Sequence, residues 1–228
     1  MGEVVNFKNH RHEKAAARAF RIWRPLLGRH VRLDAGTCWS DLPDSALFFL
    51  CRETPESKLA FYDFLMGALG LGSGHELEQQ APRDLIDLLN AYFYFLDQAR
   101  FECCRRLDWT EPTGLAMRPL IEQVLDPAAY DYPNLMQCPV PTPQHPAYEA
   151  YRAASGMDRC AVLRRWLPEA VERFGWMVDE STEHGPPEQV SVVRRLTVRD
   201  DGVRVRHDAA RAAPGRKESL HRGEASRD

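Results

Sequence analysis

From Pro82 to Leu107 the chain reads PRDLIDLLNAYFYFLDQARFECCRRL, an apolar pattern of helical period long enough to make a principal helix. At ~1.5 Å per residue such a helix spans about 39 Å, the width of a small domain, so the remaining elements have to be arranged around it. With about 100° per residue, Leu85, Leu89, Tyr92, Leu96, Ala99, Cys103 and Leu107 gather into one stripe. Ile86, Phe93 and Cys104 flank it. A stripe this wide predicts packing against several neighbours rather than a two-helix seam. Cys103 is expected to be a small core residue, and Cys104 an edge residue of the same face.

Two groups of residues interrupt that pattern. Arg100 falls inside the apolar face, with Asp97 and Asn90 at its side. Asp97 and Arg100 are three apart and able to pair; a charge placed there needs a partner or a wet cleft, because burying it alone costs several kcal/mol. The residues are therefore expected to form a structural ion pair or a polar ligand pocket, for which Asn90, Asp97, Arg100 and the nearby His75 are the candidate ligand-binding residues. Tyr94, Phe95 and Phe101 project away from the stripe. Either a second layer of helices covers them or they form a partner-binding patch. Glu102 with Arg105 and Arg106 has the spacing of an ordinary surface charge set.

The flanking sequence supplies further helices. EKAAARAFRIWRPLLG, residues 13–28, has a stripe of Ala16, Phe20, Trp23 and Leu27, interrupted by Pro25. A short helix is expected to begin near Pro43. Thr54 is suited to an N-cap with Pro55 in the first turn, and Gly70 to the stop of the same helix. Ser73 and Glu76 have capping-box spacing. Thr113 is placed to cap a helix over GLAMRPLIEQVL, and two more are expected in AYEAYRAAS and DRCAVLRRWLPEAVERFGWM, the latter capped by Asp158. Six prolines in residues 127–146 predict an irregular connection between them.

After about residue 179 the composition turns polar. DESTEHGPPEQ reads as a linker, residues 189–207 carry an Asp-Asp-Gly turn signal for a short β-hairpin, and the remainder is too poor in apolar residues to order itself. The expected architecture is thus mostly α: a compact domain of six to eight helices over residues 1–178, then residues 179–228 as linker, possible hairpin and disordered tail. Residues 189–228 hold 10 basic and 6 acidic residues, net +4, against 20 and 27, net −7, for residues 1–188. That modest excess, with no aromatics between the arginines, argues against nucleic acid as partner. Twenty-six arginines against four lysines is the skew of a GC-rich bacterial genome and needs no ligand to explain it.

No apolar run approaches the ~20 residues of a membrane span, and no secretory leader is visible. The six cysteines are accordingly expected as reduced thiols in a cytoplasmic protein. The glycines of GALGLGSGHE lack the Gly-Lys-Ser/Thr ending of a phosphate loop. Neither His10 with His12 nor Cys138 with His145 belongs to a set with metal-ligand spacing, so no metal and no cofactor is expected. With no catalytic motif, the residues favour an accessory or adaptor protein that works through helical protein–protein contacts. The alternative is an enzyme or small-ligand binder using the pocket around Asp97, Arg100 and Asn90.

Overall fold

A computed structural model describes residues 7–28, 30–114, 116–126, 130 and 138–183. Among them are nine α-helices: α1 (Phe7–Ala19), α2 (Trp23–Leu27), α3 (Asp44–Cys51), α4 (Pro55–Leu69), α5 (Pro82–Arg106), α6 (Leu120–Val124), α7 (Tyr148–Ala153), α8 (Met157–Arg164) and α9 (Leu167–Glu183). Short 3-10 turns occupy Trp39–Asp41 and Gly74–Gln79. No strand occurs among the described residues. The nearest approach is a single antiparallel bridge between Thr110 and Pro141, flanked by Glu111 N–H donating to Val140 O at 2.8 Å and Thr142 N–H to Trp109 O at 2.9 Å. The expected hairpin and tail lie outside the described residues.

Where local chemistry is strong, the helix ends fall as the residues dictate. Thr54 Oγ1 accepts the Ser57 amide at 3.2 Å, Pro55 opens α4, and Gly70 closes it in the left-handed conformation at φ 79°. Glu76 reaches back to the Ser73 amide at 2.8 Å, starting the Gly74–Gln79 turn. Three expected boundaries shift. The 13–28 segment breaks at residues 20–22, ahead of Pro25, into α1 and α2. Thr113 caps only a turn, accepting the Ala116 amide at 3.3 Å, because Pro119 delays α6 to Leu120. The long C-terminal segment splits into α8 and α9 so that Pro168 falls in a first turn, where its missing amide costs nothing; Gly156 rather than Asp158 occupies the N-cap of α8.

The core is built on α4 and α5. Phe64 stacks on Trp23 with ring centroids 4.6 Å apart, and Phe95 lies 5.7 Å from Phe64 and 6.0 Å from Trp39. Trp23 satisfies its own indole N–H on Ala60 O at 2.9 Å, so its large apolar surface is buried without an orphaned donor. Each such fully buried side chain contributes roughly 1.5–3 kcal/mol. The approach of α1 to α4 is set by Gly67, whose Cα hydrogen faces the Arg18 carbonyl where a Cβ would come within 2.8 Å. A second, smaller apolar cluster forms where Phe101, Cys104 and Trp109 meet Leu163, Leu167 and Ala170.

One covalent link overturns the expectation of six reduced thiols. Cys138 and Cys160 form a disulfide, with Cα atoms 5.6 Å apart, tying the proline-rich connection to α8. The other four cysteines are free.

Candidate functional site

Helix α5 carries all but one of the residues singled out from the sequence, and the fold disperses them. Asp97 does not pair with Arg100. Its Oδ2 accepts from Arg164 Nε at 2.8 Å, and Arg100 forms its ion pair with Glu53, just beyond α3. Asn90 lies elsewhere along the helix, donating from Nδ2 to Tyr130 O at 3.2 Å. His75 is exposed in the Gly74–Gln79 turn. Each polar residue is thus engaged by a different element, and the expected pocket shared by Asn90, Asp97 and Arg100 is not assembled. Sequence spacing proposed the i,i+3 partner because the competing partners are 67 and 47 residues away.

The aromatic patch is also relocated. Tyr94, Phe95 and Phe101 are all buried, the first two in the main core and Phe101 in the smaller cluster. The second layer of helices covers them, so they form no surface. The residues left outside are ones that periodicity assigned to the stripe or its edge: Ile86 is 61% exposed, Leu89 44% and Phe93 41%. Their spacing of three and four puts them on one face of α5. The buried face is instead Leu88, Ala91, Tyr92, Phe95, Leu96, Ala99 and Cys103, which shares the C-terminal part of the expected stripe but is rotated in the N-terminal part. Phe93 packs edge-on against Tyr92 at 5.4 Å, which fixes the outer face to the core beneath it.

The ionisable groups beneath this face are held neutral. Burial, then the nearby Glu53 carboxylate, pushes the Tyr92 phenol up to about 12, although Arg100 acts in the opposite direction. Tyr130 is likewise raised to about 12 by burial and by Asp87. Farther along α5, Cys103 lies 3.7 Å from Cys51, sulfur to sulfur, and desolvation lifts its thiol well above the ordinary value. Cys104 is raised to about 12 by burial. Neither thiol has the exposure and positive surroundings of a reactive thiolate.

Glu102 departs most from its sequence reading. Its carboxylate is fully enclosed, gripped by Arg105 through two bonds of 2.7 and 2.5 Å and by Arg106 Nε at 2.9 Å. Arg106 continues to Asp44, to Trp39 O at 3.2 Å and to Leu42 O at 2.7 Å. This network locks the end of α5 to the start of α3, a structural task. Among the described residues no group of three or more His, Cys, Asp or Glu side chains is arranged to hold a metal. No described helix is long and apolar enough to cross a membrane. No family model matches the sequence, no curated protein matches it, and no solved structure matches it.

Proposed function

We propose that the protein is a non-catalytic helical adaptor that docks a protein partner on the outer face of α5. The observation that carries this reading is the pair Ile86 and Leu89, 61% and 44% exposed on one helical face of α5, which Phe93, 41% exposed, continues. Single exposed apolar residues are ordinary; a run at i, i+3 and i+7 is the anchor pattern by which an amphipathic helix enters an apolar groove. The partner accordingly presents an apolar groove or helix face of its own. Four free thiols fit the cytoplasmic location expected of such an adaptor, while the Cys138–Cys160 disulfide weighs toward an oxidising compartment.

The test uses the full chain as bait in its native host. Leu89→Glu and Ile86→Glu place a charge on the stripe at positions already in water, so their melting temperatures stay with the parent. Partner recovery falls by at least about tenfold for each, as expected when an interface anchor is replaced by a charge. A control change on α9, Glu172→Arg, leaves recovery unchanged. Equal recovery by all four proteins would refute the assignment of the docking face.

A further inference from the structure

The hairpin of α7 and α8 is fastened to the body mainly through one face of α8. No residue of α7 is buried. Several of the hairpin's contacts are made within itself. Arg159 Nε donates to Ala154 O at 3.0 Å and its guanidinium lies over the Tyr151 ring, while Arg152 lies over Tyr148 and faces Glu149 at 3.9 Å. Its hold on the rest of the fold comes from Cys160, Leu163 and Arg164, whose spacing of three and four puts them on one side of α8. Leu163 enters the smaller apolar cluster with Phe101 and Trp109, Arg164 donates to Asp97, and Cys160 is bonded to Cys138. The half-buried Tyr151 rests against the same cluster.

The other end of the disulfide is held in place. Just after Cys138, the chain pairs with residues 109–111 through the Thr110–Pro141 bridge, and the Thr142 hydroxyl donates to Asp108 O. The bond therefore joins a fixed segment to a lightly docked hairpin, across 22 residues. It is also placed for exchange: Cys138 is half-buried, whereas the free thiols of Cys51, Cys103 and Cys104 are buried. A chain with four free thiols and one half-buried disulfide fits the pattern of cytoplasmic proteins, in which the disulfides that do form are redox-sensing or catalytic.

We propose that Cys138–Cys160 is a redox latch, reduced by a small-molecule thiol, that controls whether the α7–α8 hairpin stays docked. A reductant thiolate attacks the Cys138 sulfur, the S–S bond breaks, and Cys160 leaves and takes up the proton that the reductant thiol gave up. A second reductant thiol displaces the first from Cys138, which is protonated in turn. Two electrons have then passed to the protein, and the reductant is left as its own disulfide. With the bond gone, the open form of the hairpin is no longer disfavoured by closure of the 138–160 loop and gains by roughly 100-fold. Opening withdraws Leu163 from the cluster it shares with Phe101 and Trp109 and separates Arg164 from Asp97. The latch does not depend on the docking face of α5 and stands whether or not that face binds a partner.

Hydrogen exchange of the full chain, read by mass spectrometry before and after equilibration in a glutathione buffer of cytosolic ratio, tests the latch. Without denaturant, the free thiols counted after quenching should rise from four to six. Peptides covering residues 148–164 should then exchange roughly 100-fold faster, while those of α4 keep their protection. Cys138→Ser, at a half-buried position, should show the same fast exchange with no reductant present and no further response to glutathione. The comparison of oxidised and reduced parent protein stands even if that variant folds poorly. A disulfide that survives the buffer, or exchange in 148–164 that is unchanged after reduction, would overturn the proposal. So would a rise spread equally over the whole chain, which would mark the bond as a general staple.

Discussion

Replacing Arg106 with Met tests the lock between α5 and α3. The methionine keeps most of the aliphatic volume and removes the guanidinium, whose side chain is only 13% exposed. Four contacts disappear: Glu102 at 2.9 Å, Asp44, Trp39 O and Leu42 O. Their losses are unequal. Glu102 keeps its bidentate Arg105, Asp44 is half exposed and returns to water, and Trp39 O retains the Leu42 amide at 3.3 Å. Leu42 O loses its charged donor, at about 1–3 kcal/mol for an acceptor left unmatched, and the weakened hold on a fully enclosed carboxylate adds about 1–2 kcal/mol. The sum is about 3 kcal/mol, or a fall of roughly 6–12 °C in Tm for a chain of this size. Arg106→Lys, a point charge that satisfies one acceptor at a time, should lose about half as much. Thermal and urea unfolding of both variants provide the assay, with Arg152→Met, from the exposed Arg152–Glu149 pair, as a control expected within about 0.5 kcal/mol of the parent. An Arg106→Met protein that melts with the control would refute the view that this network fastens α3 to α5.

Gly67→Ala, which in an open helix would gain about 1 kcal/mol, should here cost about 1–3 kcal/mol by calorimetry, because the new methyl meets the Arg18 carbonyl backbone at 2.8 Å. His145 accepts the Ala147 amide on Nδ1 at 2.9 Å, and burial lowers its pKa. Its contribution to stability is therefore fully present above the unfolded value of about 6.5 and is lost as the pH falls through that value toward the folded one; His145→Gln should flatten this part of the stability–pH curve. Non-reducing peptide mapping should recover Cys138 linked to Cys160. Native labelling should spare Cys51, Cys103 and Cys104, all buried, and reach Cys38 alone among the free thiols.

What could be read in advance divides by the range of the interaction. The α4 start and stop follow from Thr54, Pro55 and Gly70 because caps and left-handed stops are decided within a turn of chain. The α5 helix follows from its own period over Pro82–Arg106. Which of its faces is covered does not. A stripe through Leu85 and Leu89 is equally periodic with one through Leu88 and Tyr92, and the neighbours that choose between them come from elsewhere in the chain. The same limit applies to charge: Asp97 has a cation three residues away, but Arg164 reaches it from another helix. Glu102 has the spacing of a surface residue and the burial of a core one, since its second arginine also answers to α3.

The assignment of α5's outer face as a docking surface is tested most directly by photo-crosslinking in the native host. A benzophenone amino acid is placed in turn at Leu89, at Ile86 and at Glu172 of the full chain. The account predicts one discrete covalent adduct of the same mass from positions 86 and 89 and none from 172. No adduct from the two α5 positions, or the same adducts from all three, would contradict it.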